Sequence, residues 1–250
     1  MQRGTVRRVR HWGQQAAVGA VIRPLRIASV ALVLALGAGC GGGDESSADG
    51  AQPQAGRTVV AALGDSITAG APLWDPDPSV RSRISDPDRR SQYGYWAQRT
   101  LAGTNFRNCG ISGQITAEIV ARVDACVRGA DVLIVQGGIN DIAQGLPIEG
   151  AAENLRATVL RGKQLGLRVA IAELLPWNGG YPGADRPIDA LNRRIRSIGR
   201  QEGVRVLLWY ELLEDPRRDG RMRPRWTDDL AHPSVEGYRR LGEAVELPLP

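Results

Sequence analysis

Apolar and polar positions along residues 58–250 follow two rhythms. Short runs at 58–63 (TVVAAL), 105–109 (NFRNC), 131–136 (DVLIVQ), 167–175 (LRVAIAELL) and 204–210 (VRVLLWY) predict five strands. Between them the apolar spacing becomes helical. Segments 93–103, 115–127, 150–165, 185–203 and 234–245 predict five helices. In 115–127, Ile115, Ile119, Val120, Val123 and Val127 share one face. Only 71–92, rich in Pro and Asp, has neither rhythm and reads as a long insert loop.

Strands that alternate with helices predict a parallel sheet covered on both faces, with right-handed crossovers. Five such strands suit an α/β fold with a flavodoxin-like, doubly wound sheet. Ligands of such sheets bind beyond the carboxyl ends of the strands. The globular domain is expected over 58–250.

The N-terminal segment has a different pattern. Arg3, Arg7, Arg8, Arg10, Arg23 and Arg26 stand in residues 1–39 without any Asp or Glu, and 27–39 is the apolar, small-residue run IASVALVLALGAG. That run is about 13 residues, and a membrane span needs about 20. Residues 1–39 therefore read as a signal peptide. Leu36-Gly37-Ala38-Gly39-Cys40 resembles a bacterial lipoprotein signal, in which Cys40 is the lipidated first residue. Leu36 stands one place earlier than in the usual pattern, so plain secretion stays an alternative to a lipid anchor in the cell membrane. Residues 40–57, rich in Gly, Ser, Asp and Gln, read as a flexible tether.

The leader also accounts for the charge. The whole chain has a net charge of +5, but removing those six Arg from the 32 Lys and Arg leaves 26 against 27 Asp and Glu. A domain with a net charge of −1 lacks the electrostatic footprint for nucleic acid. Of the two His, only His232 lies outside the leader, so imidazole chemistry in the domain falls to it. Cys109 and Cys126 form an even pair, which favours a disulfide in an exported protein. One unbroken helix over 115–127 opposes it, since it puts the pair about 15 Å apart at 1.5 Å per residue. No bond is expected on that basis.

Four short motifs fall at strand ends or before the last helix. Gly64-Asp65-Ser66-Ile67-Thr68 follows the first strand, where a Ser hydroxyl can stand above the sheet. Asn108-Cys109-Gly110-Ile111-Ser112-Gly113 follows the second, and a Gly there lets backbone approach a ligand. Gly137-Gly138-Ile139-Asn140-Asp141 follows the third and supplies an amide donor. Asp228-Asp229-Leu230-Ala231-His232-Pro233 precedes the last helix, with Asp229 and His232 three apart.

In this order the motifs resemble the SGNH hydrolase superfamily, the GDSL esterases and lipases, over residues 57–247. The resemblance assigns the four name residues to Ser66, Gly110, Asn140 and His232, and the acid to Asp229 rather than Asp228. It implies hydrolysis of carboxylic esters through an acyl-enzyme. The chemistry fits: a hydroxyl needs an adjacent base, which His232 can be, and Asp229 can hold the ring's tautomer. The N–H groups of Ser66 and Gly110 and the Asn140 amide would receive the oxyanion. No metal or organic cofactor is required.

Trp74, Ile139, Ile142, Trp177 and Tyr181 are the candidate pocket residues. The substrate class is open: a small ester, a lipid or an acylated glycan. The alternatives to a hydrolase are an acyltransferase or deacetylase on cell-envelope glycans and an inactive binding lipoprotein.

Overall fold

The computed structural model describes residues 57–248. The expected leader, Cys40 and the tether through residue 56 lie outside the described residues.

Strand β1, Thr58–Gly64, is buried from Val60 onward, as its unbroken apolar run demands of a strand covered on both faces. Four more strands pair in parallel with it or with one another: β2 (Thr104–Gly110), β3 (Val132–Val135), β4 (Arg168–Ala172) and β5 (Arg205–Leu207). The order β2-β1-β3-β4-β5 is the doubly wound sheet expected.

Among the described residues there are ten α-helices: α1 (Ser66–Ala69), α2 (Pro78–Arg81), α3 (Tyr93–Thr100), α4 (Thr116–Ala121), α5 (Val123–Cys126), α6 (Ile139–Ala143), α7 (Ile148–Gln164), α8 (Asp185–Glu202), α9 (Trp209–Leu213) and α10 (Val235–Glu243). Because strand side chains alternate, the sheet has two separate cores. Ala61, Leu63, Leu133, Val135 and Ile171 pack with residues of α4, α5, α7 and α8. Val60, Ala62, Val132, Ile134 and Ala170 pack with residues of α3, α9 and α10.

Three departures from the sequence reading have physical causes. The apolar run 204–210 is not one strand, because Trp209 starts α9 and sets its ring edge-on to Tyr93 at 4.8 Å. A short buried apolar run does not distinguish strand from helix. Residues 214–222, given no element in the sequence reading, form a small antiparallel pair, β6 (Glu214–Asp215) and β7 (Arg218–Met222).

The third departure corrects the cysteine reading: Cys109 and Cys126 are disulfide-bonded, their Cα atoms 5.9 Å apart. Segment 115–127 is not a single helix, since Arg122 at φ −115° separates α4 from α5. Nor does the helix begin beside Cys109. Loop 111–115 carries the chain away to Asp141, whose Oδ2 accepts from the Thr116 N–H at 2.9 Å, and α4 and α5 lead back to Cys109.

Candidate active site

The turn after β1 puts Ser66 at the first position of α1. Asp65 is the N-cap, its Oδ1 accepting from the Ile67 N–H at 2.9 Å, as short acceptors do at helix starts. Gly64 is required, because a Cβ there would lie 2.2 Å from Thr68 Oγ1. The first N–H of a helix has no intrahelical acceptor, which leaves the Ser66 N–H available to a ligand. Burial pushes the Asp65 carboxyl up to about 6, against the opposing hydrogen bond from Ile67.

The turn before α10 delivers His232. Asp229 Oδ1 accepts from the N–H groups of Ala231 (2.9 Å) and His232 (2.7 Å), which locks the turn. Leu230 between them has φ 67°, a left-handed conformation uncommon for a residue other than Gly. Asp229 Oδ2 lies 2.6 Å from His232 Nδ1, and His232 Nε2 lies 3.0 Å from Ser66 Oγ. Burial pushes the Asp229 carboxyl up. The hydrogen bonds from the His232 ring and from the two N–H groups outweigh that and hold it below the ordinary carboxylate value. An ionised Asp229 fixes the proton on Nδ1, which leaves Nε2 to accept from the Ser66 hydroxyl.

Asn140 is the second residue of α6, reached through Gly138 at φ 118°, where a side chain would be strained. One N–H of its amide donates to Gln114 O at 2.8 Å. The amide has two N–H groups, so one is left for the cavity. Ser66, Asn140 and His232 line a common cavity of about 150 Å³.

The structure corrects the reading of Gly110. Its N–H donates to Asn108 Oδ1 at 2.9 Å and is thus already committed. Gly110 is Gly for steric reasons: a Cβ would lie 2.0 Å from the Ala69 nitrogen. The next glycine along this loop is Gly113. It is exposed, has φ 83° with open space around it, and precedes Gln114, the acceptor of the Asn140 amide.

The model of the GDSL-like lipase/acylhydrolase family matches residues 62–240. The chain belongs to that family. No curated protein is similar enough to count as a match. Solved structures share the fold of this GDSL acylhydrolase. A G-D-S-L family protein from Desulfitobacterium hafniense DCB-2 is 23% identical with a TM-score of 0.62, over 75% of this chain and 97% of that one. A member of the lipolytic protein G-D-S-L family from Veillonella parvula DSM 2008 is 18% identical with a TM-score of 0.61, over 75% and 95%. An acetyl xylan esterase from Geobacillus stearothermophilus is 19% identical with a TM-score of 0.60, over 76% and 92%.

As a member of this family the protein is a hydrolase of ester bonds. Of its expected pocket residues, Ile139 and Trp177 line the cavity. The other three do not. Trp74 lies inside the insert under the Arg81 guanidinium, 4.5 Å from its ring centroid. Ile142 is buried in the core cluster with Leu155 and Leu191. Tyr181 is exposed, edge-on to Trp177 at 6.3 Å. The walls that the sequence reading missed include Ile67, Ala143, Leu174 and Leu175. Leu174 and Leu175 sit just past β4 on the carboxyl edge of the sheet. Assigning them to the strand hid them.

Proposed function

We propose that the protein hydrolyses carboxylic esters of short acyl groups through an acyl-enzyme on Ser66. The observation that supports this is the unbroken hydrogen-bonded chain from Asp229 through His232 to Ser66 Oγ. In this reading Ser66 Oγ attacks the ester carbonyl carbon while His232 Nε2 takes its proton. Collapse of the tetrahedral intermediate expels the alcohol, which leaves with that proton. Water then attacks the acyl-enzyme, again with His232 as base, and releases the acid and free Ser66. The oxyanion is received by the N–H groups of Ser66 and Gly113 and by the Asn140 amide.

The acyl size follows from the cavity. Its volume, about 150 Å³, falls below the roughly 300–1,000 Å³ of pockets that enclose drug-sized ligands. Ile139, Leu174 and Leu175 give it apolar walls. Such a space suits an acetyl or propionyl group and leaves a long chain outside. A related fold in the acetyl xylan esterase from Geobacillus stearothermophilus, which by name acts on acetyl esters, agrees with that size.

The deciding assay is turnover of p-nitrophenyl acetate, butyrate and octanoate by the purified protein and by Ser66→Ala. Turnover should fall from acetate to octanoate and drop to background in the variant. Preference for octanoate would overturn the short-acyl reading, and a fully active Ser66→Ala the nucleophile. The location belongs to the same proposal: export, with Cys40 lipidated and the enzyme held on the outer face of the cell membrane. Membrane fractionation of Cys40→Ser should move the protein to the soluble fraction. Retention in the membrane would refute the anchor.

A further inference from the structure

Arg122 stands at the break between α4 and α5, outside every motif that carries the chemistry. Its guanidinium is half-buried and makes three hydrogen bonds to separate parts of the chain. Nη2 donates to Gly64 O at 2.7 Å, Nη1 to Cys109 O at 2.5 Å, and Nε to Gln114 Oε1 at 2.6 Å. All three acceptors are neutral oxygens, so these bonds leave the positive charge uncompensated. Burial lowers its pKa and the field of Asp65 raises it.

Each acceptor lies on a segment that leads to, or holds, an oxyanion donor of the proposed site. Gly64 closes β1 two residues before Ser66, and its carbonyl also accepts from the Ile111 N–H at 3.1 Å. Cys109 O shares a peptide plane with the Gly110 N–H, so gripping the oxygen fixes that plane at the start of loop 110–114. Gln114 ends the loop. Its side chain is held by Arg122 and its carbonyl accepts the Asn140 amide. One rigid, planar fork of donors therefore joins the end of β1, both ends of the Gly113 loop and, through Gln114, Asn140. A Lys offers a point charge and not that fork.

We infer that Arg122 is a positioning residue for the oxyanion site, holding the Ser66 turn, the Gly113 loop and the Asn140 amide in one register. The inference rests on the proposed acyl-enzyme reading. The transition state has the strictest geometry, so loss of register shows in turnover rather than substrate affinity. A misplacement of about 1 Å at a catalytic group costs on the order of 10²-fold.

The test is a double-mutant cycle on p-nitrophenyl acetate with Arg122→Gln and Asn140→Ala in the full-length protein. Arg122→Gln should lower kcat by about 10²-fold with KM within about two-fold. In the Asn140→Ala background the same change should cost less than about 10-fold, because part of its effect passes through that amide. Equal fold losses in both backgrounds, or a rise in KM alone, would overturn the inference. Should Arg122→Gln fail to fold, Arg122→Lys is read in the same cycle. It should give an intermediate kcat and the same non-additivity, and wild-type kcat in Arg122→Lys would be equally fatal. If Ser66→Ala keeps its activity, the acyl-enzyme reading fails instead, and the two failures are told apart.

Discussion

Asp229→Asn is expected to lower kcat by about 10⁴-fold, while Asp228→Asn stays within about two-fold of wild type. The reason is the direction of one proton. Asp229 Oδ2 accepts from His232 Nδ1 at 2.6 Å, which leaves Nε2 free to accept from Ser66. An Asn amide can turn its NH₂ toward Nδ1, which moves the ring proton to Nε2 and removes the base from the nucleophile. Asp228 is exposed and takes no part in the turn's hydrogen bonds to His232. Steady-state kinetics on the two variants decide this, and equal losses would sink the assignment.

The same carboxylate should leave a mark on stability. The folded pKa of Asp229 is lowered from the ordinary 3.8, so its contribution is fully present above that value. It is lost as pH falls through the lowered folded value. Thermal melts should therefore show the gap between wild type and Asp229→Asn at neutral pH closing in acid. A gap that widens on acidification would contradict the shift.

Asn140→Ala should lower kcat by on the order of 10²–10³-fold, about 2.7–4 kcal/mol of transition-state stabilisation, with KM nearly unchanged. An oxyanion donor binds weakly to the ground-state carbonyl and strongly to the developing charge. One N–H of the amide is spent on Gln114 O, which fixes the other toward the cavity. Ala is a good helix former, so α6 should persist and the melting temperature should hold. A rise in KM alone would make Asn140 a ground-state contact.

Much of this was readable along the chain. The inner strands β1, β3 and β4 are apolar runs between turn residues, and burial on both faces of the sheet is the cause, whereas the edge strands β2 and β5 are only partly buried. Ser66, Asn140, Asp229 and His232 stood at strand ends or at the start of the last helix, where this fold collects its ligands. What escaped depended on contacts that leave no local period. Arg122 reaches Gly64 across 58 residues, and no spacing in the sequence announces it. The α4–α5 break has the same origin, since an apolar face every three or four positions hides a single residue that leaves the helix. The commitment of Gly110 was within reach: an Asn two residues ahead of a backbone N–H is the pattern of an Asx turn. Ile142 failed for a different reason. In a five-residue helix, neighbours of similar character divide between core and cavity, and residue type alone cannot divide them.

The Cys109–Cys126 bond turns residues 109–126 into a covalent ring, and that ring carries Gly113, Gln114 and Arg122. A crosslink around a loop of this size withdraws about 3 kcal/mol worth of freedom from the unfolded chain. When the domain melts, the parts of the clamp that lie within the ring stay neighbours, tied as a short loop. A heat-treated enzyme with the bond intact thus keeps a local memory of its site. Once reduced, it must find that pairing again among many open conformations, and activity should return more slowly on cooling.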